Sequence, residues 1–285
     1  MRLHVILIGL ILTLGFASAC GGESAKDTFV PVPGNSELVV GPNRIAIAIA
    51  DNSNEALLGD PGNGVQLQFK TVEGELIGSP EDMTFVEAIP ETSGFWVLRH
   101  NFESEGNAPA LLTVTRGEET EEIDLTFRVI VTGKSPTIGA VAPRTENPTL
   151  STQPNRKQIT TDTEPSDAFY QLTVSQAIDA QKPFVVVFAT PAFCQSSLCG
   201  PILDNVKAVQ PEFADSINFI HIEPFILDAE GGLANGQLTA SQSSTDWNLQ
   251  TEPWIFVVGS DGKIADRLEG SASPDELRES LSALS

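Results

Sequence analysis

The apolar residues change their spacing once along the chain, and that change limits the fold more than any other feature. From residue 36 to 132 they fall at every second position. Val65-Gln-Leu-Gln-Phe-Lys70 and Ile123-Asp-Leu-Thr-Phe-Arg-Val129 alternate apolar with polar, and Ile45-Ala-Ile-Ala-Ile-Ala50 alternates large with small. A period of two turns one face of a strand to a core and the other away from it. Further short strands are expected at 38–40, 83–88, 95–100 and 111–115, separated by turn-formers such as Asp60-Pro-Gly-Asn-Gly64 and Ser104-Glu-Gly-Asn107. About seven short strands without a helical pattern predict an immunoglobulin-like β-sandwich over 36–132. Nothing in it carries chemistry. The run Glu118-Glu-Thr-Glu-Glu122 reads as a solvated turn without the Asp/Asn and Gly alternation of a calcium loop, and Phe95 and Trp96 read as packing residues.

Residues 133–168 are rich in Pro, Thr, Ser and Asn and cannot bury enough apolar surface to fold alone, so they read as a linker or a lead-in wrapped on the next domain. From 169 to 285 strands alternate with helices. Val174, Ala177 and Ile178 mark a short helix, Phe184-Val-Val-Val-Phe188 a buried strand, and Ile202, Val206, Val209 and Phe213 a longer amphipathic helix. Ile217-Asn-Phe-Ile-His-Ile222 is the next strand, and 228–242 has no assignable pattern. Two strands then flank the turn Ser260-Asp-Gly262. Ser273-Pro-Asp-Glu276 opens a last helix as a capping box, with Leu277, Leu281 and Leu284 as its buried stripe.

Cys194 and Cys199 stand between the buried strand and the longer helix, in Phe188-Ala-Thr-Pro-Ala-Phe-Cys-Gln-Ser-Ser-Leu-Cys-Gly-Pro201. N–H groups and the helix dipole favour a thiolate at such a place. With Thr251-Glu-Pro-Trp-Ile-Phe-Val-Val258 and Pro201-Ile-Leu-Asp204, the order of elements resembles the thioredoxin superfamily over residues 169–285. The resemblance implies an α/β thioredoxin-like fold and a cis bond before Pro253. It also implies a substrate groove bounded by Thr190, Pro191, Phe193, Glu252 and Trp254, and a kinking proline at Pro201. Cys194 and Cys199 would then be the catalytic pair, disulfide-bonded in the exported protein, acting on exported proteins or small thiols and disulfides and served by a redox partner. The spacing here is C-x-x-x-x-C and not C-x-x-C. Two other readings therefore stay open. The gap also resembles one peroxiredoxin class, and a non-catalytic binding module could use the bond to pin a loop.

Met1-Arg-Leu-His-Val-Ile-Leu-Ile-Gly-Leu-Ile-Leu-Thr-Leu-Gly-Phe16 has a positive start and a short apolar stretch, which reads as a signal peptide over 1–19. Ala17-Ser-Ala-Cys20 resembles the lipobox of bacterial lipoproteins, with Ala17 where that family usually has Leu. The resemblance implies that Cys20 is lipidated, that 20–35 is a tether, and that the protein is extracytoplasmic and anchored to the cell membrane. Disulfides persist in such a compartment. The formal net charge of −22 excludes nucleic acid as a natural partner. The three histidines are His4, His100 and His221, and no phosphate loop, zinc signature or Ser-His-Asp motif occurs, so neither a metal site nor a cofactor is expected.

Overall fold

The computed structural model describes residues 29–284, so the expected signal peptide and Cys20 lie outside the described residues. Within them the strands β1 (Val30–Pro33), β2 (Leu38–Val39), β3 (Gly41–Ala50), β4 (Asn63–Phe69), β5 (Glu81–Asp82), β6 (Thr84–Ile89), β7 (Ser93–Phe102), β8 (Gly106–Arg116) and β9 (Glu119–Ile130) all precede the first α-helix. They form two sheets, β1-β3-β7-β6 and β2-β9-β8-β4-β5. Ile45, Ile47, Ile49, Trp96 and Leu98 enter a shared core from the first sheet, and Val65, Leu67, Leu112 and Val114 meet them from the second. The period of two is thus spent on an all-β sandwich. It begins earlier than residue 36, because Val30-Pro-Val-Pro33 pairs with the far end of β3. Prolines are tolerated there since β1 is an edge strand, whose outer N–H groups have no ladder partner to lose. The acidic run is only partly a turn. Glu119 already begins β9, and Glu121 accepts the backbone N–H of Phe29.

The second region runs α1 (Val174–Asp179), β10 (Phe184–Phe188), α2 (Cys199–Phe213), β11 (Asn218–Ile222), α3 (Gln242–Asp246), β12 (Trp254–Val258), β13 (Ile264–Glu269) and α4 (Pro274–Ser282). Its mixed sheet has the order β11-β10-β12-β13, with β10 parallel to β11 and antiparallel to β12. Every residue of β10 and β12 is buried. A strand covered on both faces has no use for alternation, which explains the unbroken apolar runs. Helices α2 and α4 cover Val185, Val187, Ile255 and Val257, while Val174 and Ala177 of α1 and Trp247 cover Phe184, Val186, Phe188 and Phe256. Pro201 falls in the first turn of α2, where its missing N–H leaves no intrahelical bond unmade, and the proline inside the helix is Pro211.

Residues 133–168 wrap on this region. Gly139 and Ala142 donate N–H groups to Ile264 and Gly262 carbonyls at 2.8 and 2.9 Å, which extends pairing on the β13 side. Asn147 Oδ1 accepts the first N–H of α1, from Val174, at 2.8 Å. Ala142, Thr145, Asn147, Thr149, Ile159 and Thr160 are all buried.

The outer face of the first sandwich sheet is covered too. Arg44 on β3 donates from Nε and one terminal nitrogen to Glu276 of α4 at 2.6 and 2.9 Å, and Arg99 on β7 grips Asp266 of β13 at 2.6 and 2.9 Å. Arg267 pairs with Glu37 at 3.1 Å. Glu276 therefore does not return a bond to the helix start as a capping box would. Ser273 accepts the Glu276 N–H, and the carboxylate turns to Arg44 instead. At Gly270 a φ of +81° favours glycine, while at Gly34 a Cβ would come within 2.5 Å of the Phe95 ring, so the close junction is made there.

Candidate functional site

Strand β10 ends at Phe188 and α2 opens at Cys199, so Cys194 lies in the irregular loop between them. The two cysteines are disulfide-bonded with Cα atoms 5.9 Å apart, inside the usual range for such a bond. The helix starts only at the second sulfur. Ser197 has φ of +63°, which turns the loop back on itself. The first four N–H groups of a helix have no intrahelical partner. Here the Cys199 N–H, the first of α2, donates to Cys194 Sγ at 3.1 Å, and Ser196 Oγ stands 3.4 Å from the same sulfur. Cys194 is half-buried, whereas Cys199 is wholly buried among Val187, Ile202 and Leu203. One sulfur is reachable and the other is enclosed.

The Glu252–Pro253 bond is cis. Trp254 pairs with Phe188, so Pro253, just before β12, lies beside the start of the cysteine loop. Its carbonyl accepts the Gly270 N–H at 3.0 Å. Burial raises the Glu252 carboxyl, against the pull of the nearby Gln195 backbone N–H, which sets this segment beside the cysteine loop. Pro191, Phe193 and Glu252 keep partial exposure.

Thr190 and Trp254 do not line an open groove. Thr190 has no exposed surface. Trp254 lies on the sheet face opposite α2, stacked on Phe256 at 5.3 Å beneath the Arg267 guanidinium, and its indole N–H donates to Thr251 Oγ1 at 3.0 Å.

Beneath the loop is a buried polar group that sequence reasoning missed. His221 Nε2 lies 2.9 Å from the Ala189 carbonyl, which makes that nitrogen the donor and leaves Nδ1 to accept the Tyr170 hydroxyl at 2.8 Å. Burial pulls its pKa down to about 4. Glu223 is 5% exposed, and its Oε1 accepts both the N–H and the hydroxyl of Thr161. Burial raises this carboxyl to about 7 against the pull of those bonds. Glu223 Oε2 and Thr190 Oγ1 are buried and neither makes a hydrogen bond of good geometry, although the hydroxyl is near enough to favour the ionised carboxylate. Thr161 Oγ1 also accepts the Ala192 N–H at 3.2 Å, so the network reaches the cysteine loop. One signal was present in the sequence: Glu223, just past β11, stands two residues after His221, hence on the same face as Ile217, Phe219 and His221, where no other residue is polar.

Among the described residues no three His, Cys, Asp or Glu side chains converge as metal ligands. A cavity of about 770 Å³ opens at one end of the sandwich around Phe69, His100 and Phe102, remote from the cysteines in sequence. It offers no nucleophilic thiol, and burial lowers the pKa of its histidine, which stacks on Phe69 at 4.1 Å.

No protein-family model and no curated protein matches the chain. Among solved structures, the CARDB domain of a Pyrococcus furiosus protein, determined in complex with di-metal ions, is similar at 11% identity with a TM-score of 0.22, over 37% of this chain and 96% of that one.

Proposed function

We propose that the chain is an extracytoplasmic thiol–disulfide oxidoreductase, anchored through a lipidated Cys20, whose residues 169–285 form a thioredoxin-like domain. One observation carries most of the weight. A helix N–H points at the sulfur of a half-exposed cysteine whose disulfide partner is buried. When the pair is reduced, that N–H and the helix dipole favour thiolate on Cys194, the sulfur a substrate can reach.

In the reducing direction Cys194 thiolate attacks one sulfur of a substrate disulfide, and the other substrate sulfur leaves as thiolate. Cys199, deprotonated, then attacks Cys194 Sγ, forms the Cys194–Cys199 bond and releases the second substrate thiolate. Two electrons pass from the cysteine pair to the substrate, and its two thiolates take up the two protons that the dithiol loses. A thiol donor must return the pair to its reduced form. Glu252, whose carboxyl lies near the Gln195 amide of the loop, opposes thiolate formation when ionised. That favours a reductase or isomerase over a strong oxidant.

A second reading has its own support. Cys199 has no exposed surface, and the polar neighbours of Cys194 are a hydroxyl and a backbone amide, neither of them a cation. A bond that only pins the loop would look like this. Equilibration with thiol buffers separates the two, since structural disulfides lie below about −300 mV. A potential above that value is expected, with Cys199→Ser trapping a mixed disulfide on Cys194. A lower potential with no trapped adduct would sink the exchange reading. Equal membrane partitioning of the wild type and Cys20→Ala would remove the anchor.

A further inference from the structure

Glu269, the last residue of β13, serves two regions at once. It is 7% exposed. Its Oε2 accepts the backbone N–H of Ser36, between β1 and β2, at 2.8 Å, and its Oε1 accepts the Thr251 hydroxyl at 2.7 Å. Thr251 Oγ1 in turn accepts the Trp254 indole N–H at 3.0 Å. Between those two residues lie Glu252, whose carboxyl is near the Gln195 amide of the cysteine loop, and Pro253, whose carbonyl accepts the Gly270 N–H at 3.0 Å. The segment 251–254 is therefore fastened to the sandwich through Glu269 and lies beside the cysteine loop.

We propose that Glu269 is a positioning residue through which the β-sandwich holds the segment beside the cysteine loop, making the sandwich part of how that site is built. Hydrogen bonds to a carboxylate are the stronger kind and fix direction as well as distance. The simpler view is that Glu269 only joins the two regions. That junction is already held by Arg44–Glu276, Arg99–Asp266 and Arg267–Glu37, of which only Arg267 reaches the segment, through the Trp254 ring and not through Thr251. Loss of the Thr251 link would leave those pairs standing, so an effect of that loss on the disulfide would come through the segment. Coupling is reciprocal, so reduction of the disulfide should be felt at Ser36. The inference rests on the thiol–disulfide reading only in taking this bond as the working site.

The test uses the full chain with Thr251→Val, which removes the link, and Thr251→Ser, which restores it. Two quantities are measured: the rate at which dithiothreitol reduces the protein's own disulfide, and the amide resonance of Ser36 in oxidised and reduced protein. Thr251→Val should reduce faster by about threefold or more, the size of one net hydrogen bond, and its Ser36 resonance should no longer respond to reduction. Thr251→Ser should behave as wild type on both. Glu269→Gln keeps the shape and one acceptor oxygen, and it should fall between them, which covers a failure of Thr251→Val to fold. Equal reduction rates in all variants, with Ser36 unresponsive even in wild type, would overturn the proposal. Because dithiothreitol reports the chain's own bond, a lack of turnover on external disulfides would count against the exchange reading alone.

Discussion

Strand β9 of the sandwich alternates exposed and half-buried residues along most of its length, whereas β10 and β12 of the mixed sheet bury every residue. The two regions consequently treat polar groups in opposite ways. A sandwich strand can turn a charge to water on its outer face. A strand covered on both faces cannot, so a polar side chain there must find its partners inside or shift its pKa. His221 and Glu223 do both, and they lie at the end of β11 next to the cysteine loop. The exception in the sandwich proves informative, because the outer face of its first sheet is also covered. Its Arg44 and Arg99 are paired with carboxylates from the other region.

The largest effect should come from breaking that pairing. Glu276→Ala leaves Arg44, whose side chain is 2% exposed, without its carboxylate. Removing one member of a buried pair costs about 3–5 kcal/mol. Urea unfolding followed by tryptophan fluorescence should show a lower midpoint, and Trp96 of the sandwich should separate from Trp247 and Trp254 of the second region. A loss below about 1 kcal/mol with one shared transition would mean that the junction is not held there.

The contrast is sharpened by pH, because the two oppositely shifted groups are both in the mixed region. Glu223 is raised from 4.5 to about 7, so the folded state holds its proton more tightly and stability falls as pH rises from about 4.5 to 7. His221 is lowered from 6.5 to about 4, so its contribution is lost as pH falls from about 6.5 to 4. Each is worth about 3 kcal/mol, and between about pH 4.5 and 6.5 they oppose each other. Glu223→Gln removes one arm. The stability of wild type minus that of Glu223→Gln should fall by about 3 kcal/mol from pH 4.5 to 7.5. A difference that stays flat across that range would mean that Glu223 ionises freely in the folded protein.

What could be read from the sequence was local. Period-two alternation marks the sandwich strands, unbroken apolar runs mark β10 and β12, and the cysteine pair falls between strand and helix. What could not be read depends on partners far along the chain. Val30-Pro-Val-Pro33 has no alternation and becomes a strand only through residues 47–50. Thr161 lies in a segment whose composition suggests a linker, yet its partner Glu223 is 62 residues away. The resemblance places Trp254 beside a groove, but strand alternation turns it to the other face. Glu276 has the right spacing for a capping box, and an arginine 232 residues earlier takes its carboxylate.

That last diversion gives the smallest and most discriminating test. Helix α1 carries a complete capping box: Thr173 Oγ1 accepts the Gln176 N–H at 3.2 Å, and Gln176 Oε1 accepts the Thr173 N–H at 2.9 Å. Helix α4 has only the first half, because Ser273 Oγ accepts the Glu276 N–H and nothing comes back. Thr173→Ala and Ser273→Ala should each cost about 1 kcal/mol, the usual worth of an N-cap hydroxyl. The pairs should differ in their coupling. In a double-mutant cycle Thr173 and Gln176 share a reciprocal contact and should couple, while Ser273 and Glu276 should act independently, since the Glu276 side chain spends its oxygens on Arg44. Equal coupling in both cycles would place Glu276 at the cap in solution, and would then weaken the case that α4 is held by the sandwich.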